Sequence, residues 1–174
     1  MENLSMFNDI IKIINNLLLD TSFNIVFRPH PSNRNALKTL DINNTYKNNP
    51  RFKFDTSEDY SEIYSKSICM ITDTSGTAYT YAFFTKRPVI FISKSEKLLE
   101  ELGYNKLDYF IDRKKIGMIL EDIDEIKNNL EKISSIHEKT KPSNDILENP
   151  DSILDPQKSA LGKLGSMNIS KISV

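Results

Sequence analysis

A chain of 174 residues with 39% hydrophobic and 27% charged side chains is long enough to bury one substantial core, which excludes a disordered polypeptide and predicts one main globular unit. The 23 Lys and Arg against 24 Asp and Glu give a net charge of −1, which supplies no overall basic field for coating nucleic acid. One cysteine, Cys69, and two histidines, His30 and His137, exclude a disulfide framework, argue against a Cys/His zinc site and point to a reduced, cytoplasmic setting.

Met6 to Leu19 places Phe7, Ile10, Ile11, Ile14, Leu17 and Leu18 at helical spacing, with Ser5 positioned to cap the first turn. Glu2, Asp9, Lys12, Asn15 and Asn16 interrupt the apolar clusters. Neither a signal peptide nor a membrane span, which needs ~20 apolar residues, is expected. The first of the five glycines is Gly76, so no glycine-rich dinucleotide or Walker-type phosphate loop stands near the N-terminus.

Phe23 to Phe27 reads as a strand, ended by Arg28-Pro29-His30-Pro31, where two prolines prevent both ladder bonding and immediate helix entry. Residues 33–42 predict a helix, 43–50 an Asn-rich turn, 51–54 a short strand, and 58–66 a helix carrying Tyr60, Ile63 and Tyr64 on one face. Ile68 to Thr72 is a continuous apolar run too short for a helix, hence a strand buried on both faces. Asp73-Thr74-Ser75-Gly76 then breaks the chain before a helix over 77–85, in which Phe83 and Phe84 read as core, with stacking of a base by Tyr79 or Tyr81 as the minor alternative. A strand over 88–92 and a helix over 95–102, closed by Gly103, follow. Tyr109-Phe110-Ile111 and Gly117 to Leu120 are strand candidates, and 122–136 is a helix with Ile123, Ile126, Leu130 and Ile133 inward.

Strand and helix alternate, which predicts an α/β fold with a mostly parallel sheet and helices on both faces. The rhythm stops after His137, so residues 1–137 form the expected domain and 138–174 an extended, partly packed C-terminal tail. Cys69 reads as an inert core thiol, His137 as a group meeting a helix C-terminus, and Lys158 as solvated.

Two loops fall where a parallel sheet binds ligands, beyond the carboxyl ends of its strands. The prolines around His30 hold its imidazole at a fixed place near Arg28 and Ser32, a set suited to an anion, with Arg28 as a phosphate fork. The other reading of Arg28 is a pair with a carboxylate. Asp73, Thr74, Ser75, Gly76 and Thr77 offer hydroxyls and free N–H groups at a helix start, which suits an anion or an ordinary cap. A 2-1-3-4-5 strand order makes the two loop-bearing strands neighbours at one crevice.

Arg28-Pro29-His30-Pro31, then Ile71-Thr72-Asp73-Thr74-Ser75-Gly76 about forty residues on, then Lys86-Arg87-Pro88-Val89-Ile90-Phe91, resembles the C-terminal, donor-binding half of GT-B-fold transferases. Among these the CDP-glycerol glycerophosphotransferases are most alike, and UDP-N-acetylglucosamine 2-epimerases come next. The likeness spans about residues 5 to 135. It departs from the transferases' Asp-x-Ser-Ser at Gly76, and the following helix carries Tyr79, Thr80 and Tyr81 where relatives have an acidic residue.

The resemblance implies a Rossmann-like domain that binds a nucleotide-activated donor, with His30 catalytic near the transferred phosphate and Arg28, Ser32, Asp73, Thr74, Ser75, Gly76 and Thr77 binding substrate. It implies glycerophosphate transfer from CDP-glycerol to a polyol or glycan in cell-surface polymer synthesis, with no metal and no cofactor. A preceding acceptor domain, absent from this chain, and peripheral membrane association of the full enzyme are further implications. The alternatives are a UDP-sugar enzyme, epimerase-like or a glycosyltransferase, and a non-catalytic nucleotide-binding module or truncated remnant.

Overall fold

The computed structural model describes residues 9–139 and 166–170. The expectations for Ser5, Phe7 and Lys158 lie outside the described residues.

Helix α1 (Ile10–Asp20) buries Ile10, Ile13, Ile14, Leu17 and Leu18, spaced i, i+3, i+4, i+7 and i+8, while Ile11, expected on the same face, points outward. Its last carbonyls are satisfied by Thr21, whose hydroxyl donates to Leu17 O at 2.6 Å, and by the Arg51 guanidinium, which donates to Leu18 and Thr21 O.

The chain then lays down β1 (Asn24–Arg28), β2 (Phe52–Phe54), β3 (Cys69–Thr72), β4 (Val89–Ile92) and β5 (Gly117–Leu120), all pointing the same way. A sixth strand, β6 (Ser166–Ser170), runs antiparallel between β1 and β3, so the order is β2-β1-β6-β3-β4-β5. The five parallel strands keep the expected 2-1-3-4-5 order, but β6 inserted between β1 and β3 corrects the expectation that these two are neighbours. Met167 pairs with Phe27 and Ile71, and Ile169 with Ile25 and Cys69; both are buried, so these two residues, two apart on one face of β6, join the core between β1 and β3. β3 and β4 are buried along their whole length, as strands covered on both faces must be.

Helices α2 (Leu37–Tyr46) and α8 (Ile126–Lys139) join α1 on one face, through Ile42, Tyr46, Leu130 and Ile133. Helices α3 (Ser61–Lys66) and α4 (Thr77–Thr85) cover the other, placing Ile63, Tyr64, Ala78 and Tyr81 against Met70, Val89 and Phe91. The α/β reading with helices on both faces is thereby met. After β4, α5 (Glu96–Glu101), α6 (Asp108–Ile111) and α7 (Arg113–Ile116) lead back to β5. Gly103 takes φ 84°, the left-handed turn expected after α5. At Gly117 a Cβ would stand 1.9 Å from Val89 O, so only glycine lets β5 lie this close to β4.

Three local expectations are corrected. Residues 109–111 are helical rather than a strand: Phe110 faces inward, Ile111 is 52% exposed, and the β4 edge is already taken by β5. The helix expected over 33–42 runs Leu37–Tyr46, because Pro31–Asn33 form a 3₁₀ turn and the buried pair Ile42 and Tyr46, four apart, extends it; the Tyr46 hydroxyl donates to Asn15 Oδ1 at 2.8 Å. Phe83 and Phe84 are each 55% exposed, since the inward phase of α4 is set by Ala78, Tyr81 and Ala82. Cys69 is fully buried and burial pushes its thiol pKa up, as expected of an inert core thiol. Among the described residues no helix is long and apolar enough to cross a membrane.

Candidate functional site

Arg28 closes β1 and Thr72 closes β3, so both predicted loops reach the carboxyl edge of the sheet. They are not direct neighbours, because β6 begins there with Ser166 opposite Arg28. Two strand spacings separate the loops by about 10 Å.

His30 heads the 3₁₀ turn Pro31–Asn33, and its ring is held from behind: Ser32 N–H donates to Nδ1 at 3.2 Å, and Ser32 Oγ lies 2.8 Å from the same atom. A backbone N–H aimed at Nδ1 makes that nitrogen the acceptor, which places the neutral ring's proton on Nε2. Burial first, and the Arg34 charge second, lower the pKa below the usual histidine value and favour this neutral form. The ring thus presents an N–H donor on its far side. Ser32, expected to touch substrate, serves here to orient His30.

The Arg28 guanidinium is bound within the protein. It pairs with Asp55, donates to Ser57 O at 2.6 Å and lies over the Tyr60 ring, 5.9 Å from its centroid. Asp55 is fixed in turn by Ser57 Oγ at 2.9 Å, and its N–H donates to Phe27 O. Of the two readings of Arg28 the structure shows the carboxylate pair: Asp55, just past β2, lies beside the end of β1 because the two strands are adjacent and in register from Ile25 and Phe52. Arg28 therefore shapes the root of the His30 loop.

At β3 the chain turns through Asp73-Thr74-Ser75 into α4. The residue at the N-cap position is Gly76, with φ −63° and no side-chain cap bond, so this is not an ordinary Ser/Thr/Asp cap. Ser75 Oγ and Thr77 Oγ1 lie 2.7 Å apart, and the N–H groups of Gly76 and Thr77 have no described partner. Free N–H groups at a helix start carry partial positive charge toward an anion. Gly76 needs no special backbone freedom here. Asp73 is 3% exposed, its Oδ1 has no partner, and burial raises its pKa to about 6, against smaller opposing effects of the Asp73 and Thr74 N–H groups. A buried carboxyl so perturbed at a strand's end is the kind of group that functional sites hold.

The base-stacking expectation is not met by Tyr81, which is buried and donates to Ser67 O at 3.1 Å. Tyr79 reaches sideways to donate to the Tyr109 carbonyl. Tyr64 has its pKa pushed up to about 12 by burial, against the smaller opposing effect of the Arg28 charge.

Residues at the same edge that pattern reading missed are Asp55 and Ser57 after β2, Ser93 after β4, and the pair Glu96 and Arg113, joined at 2.9 Å. Ser93 carried a signal, since it is the first polar residue after a wholly apolar strand. Arg113 carried none, because 17 residues separate it from Glu96. Two hollows of about 230 and 350 Å³ border α1 and α8 near Asp20, and no predicted site residue lines either.

The family model of CDP-Glycerol:Poly(glycerophosphate) glycerophosphotransferase matches residues 9–149. No curated protein and no solved structure matches the chain.

Proposed function

The chain belongs to the CDP-glycerol:poly(glycerophosphate) glycerophosphotransferase family, and from that premise we propose that it holds the nucleotide-activated donor, CDP-glycerol, for transfer of glycerophosphate to a polyol or glycan acceptor of a cell-surface polymer. The observation that carries this reading is the uncapped start of α4. The hydroxyls of Ser75 and Thr77 and the free N–H groups of Gly76 and Thr77 stand there, on the same sheet edge as the Nε2 face of His30.

In this reading the diphosphate lies between the loops. Gly76, Thr77 and Ser75 receive its oxygens, and their dipoles stabilise the charge that develops in transfer. An acceptor hydroxyl oxygen attacks the β-phosphorus, forming a new O–P bond. The bond from that phosphorus to the bridging oxygen breaks, CMP leaves with the bridging oxygen, and the hydroxyl proton goes to solvent. His30 acts as a hydrogen-bond donor through Nε2–H to a phosphoryl oxygen, not as a base, because its Nδ1 is occupied by Ser32. Asp73 accepts a hydrogen bond from the ligand at its unpartnered Oδ1, with Thr74 completing the turn. A second domain supplies the acceptor.

A thermal-shift titration with CMP, CDP-glycerol, UMP and UDP-N-acetylglucosamine tests this. Ligand at a hundredfold over its dissociation constant stabilises by about 2.7 kcal/mol, or roughly 5–10 °C at this size. A cytidine-selective shift lost in Ser75→Ala is expected, with transfer by the complete enzyme falling at least about tenfold in His30→Ala. A uridine-selective shift, or normal transfer without the His30 imidazole, refutes the assignment.

A further inference from the structure

Five buried polar atoms without partners gather on one side of the carboxyl edge, beside the α4 start. Thr72 pairs with Phe91 in the β3–β4 ladder, so their side chains share a face, and Ser93, two residues on, continues it. Over this face lies Arg113, 2% exposed, with its guanidinium 3.5 Å from the Phe110 ring centroid and 5.6 Å from that of Phe91. Its Nε donates to Phe110 O at 2.9 Å and one terminal nitrogen to Glu96 Oε2 at 2.9 Å. The other terminal nitrogen has no partner; nor have Glu96 Oε1, Ser93 Oγ, Thr72 Oγ1 and the Tyr109 hydroxyl. Tyr79, in the first turn of α4, bonds the Tyr109 carbonyl and feels the Arg113 charge, which ties the cluster to the turn at Ser75.

A buried ion pair normally uses all its hydrogen-bonding capacity, because each unmade bond carries a desolvation cost of about 1–3 kcal/mol or more. Here one charge-assisted acceptor and one charge-assisted donor of the same ion pair are left without partners, as are the hydroxyls of Ser93, Thr72 and Tyr109. We propose that Glu96 and Arg113, with Ser93, form a subsite for a vicinal diol. Each hydroxyl of a diol both donates and accepts, so one donates to Glu96 Oε1 while its neighbour accepts from Arg113. The ion pair is net neutral, which fits an uncharged polyol and not a second phosphate. The inference rests on the donor reading above, since a nucleoside diphosphate ester of glycerol carries two such groups, the ribose and the glycerol end.

The test is calorimetric titration of the full chain, in wild type, Glu96→Gln, Ser93→Ala and Ser75→Ala, with CMP, deoxycytidine monophosphate, CDP and CDP-glycerol. Circular dichroism and the melting temperature confirm folding. Loss of a charge-assisted hydrogen bond changes affinity by roughly 10- to 100-fold. A ribose in the subsite gives CMP a tenfold or greater advantage over its deoxy form that Glu96→Gln abolishes; a glycerol end gives CDP-glycerol that advantage over CDP, abolished likewise. Ser93→Ala, the milder change, reduces the same ratio. Unchanged ratios in Glu96→Gln and Ser93→Ala, or CDP binding that is lost in Ser75→Ala but shows no diol preference, overturn the subsite and leave the donor reading standing. Absence of CDP binding in wild type overturns both.

Discussion

Cutting Asp55 back to alanine strands the Arg28 guanidinium, and the consequence can be worked from the structure. The Arg28 and Asp55 side chains are 14% and 6% exposed, and the pair joins the last residue of β1 to the chain just past β2. Removing one partner of a buried pair costs about 3–5 kcal/mol, mostly the penalty of the uncompensated charge, and a domain of this size loses roughly 2–4 °C per kcal/mol. Asp55→Ala is therefore expected to lower the melting temperature by roughly 6–20 °C. Arg28→Ala should cost about as much, and the double variant less than the sum, because no charge is then left alone. Urea melts of the four proteins give the coupling directly. Donor binding should weaken in parallel in both single variants, since each unpins the root of the His30 loop. A loss under about 1 kcal/mol for Asp55→Ala, or strict additivity in the cycle, would refute the reasoning and restore Arg28 as a free anion fork.

Asp73 gives a pH prediction. Its folded pKa, raised to about 6 by burial, exceeds the ordinary aspartate value of 3.8, so between these values the folded state keeps a proton the unfolded state has lost. Stability from this group therefore falls as pH rises from about 4 to about 6, by about 3 kcal/mol in all. Asp73→Asn should abolish that slope and raise stability at neutral pH; urea melts at both ends of the window check it, and a variant that keeps the slope contradicts the assignment. Gly117→Ala forces a methyl onto the Val89 carbonyl, where backbone cannot yield. It should cost about 3 kcal/mol or more, and a melting temperature within a degree of wild type would show that β5 does not approach β4 so closely.

The strands at β1, β3, β4 and β5 and the helix at α4 were legible in the sequence because their signals are local. Short apolar runs, the proline pair around His30 and the break before Thr77 each act within a few residues. So was the placement of the His30 and Ser75 loops on one sheet edge, which follows from parallel strands alone. Local signals misled where an apolar group was read without its surroundings. Tyr109-Phe110-Ile111 has strand composition, yet no sheet edge was open to it; Phe83 and Phe84 look like core, yet the phase of α4 turns them outward.

What only the tertiary structure decided concerns partners distant in sequence. Arg28 meets Asp55 because β1 and β2 lie in register, and Arg113 meets Glu96 because α6 and α7 fold back over the end of β4. β6 was the hardest to foresee: five residues of modest hydrophobicity are stable as a strand only when β1 and β3 stand ready on both sides to take their hydrogen bonds. Periodicity and turn chemistry are properties of neighbouring residues and are written in the chain, whereas which charge is neutralised, and which polar atom is left without a partner, depends on contacts that exist only after the sheet has closed.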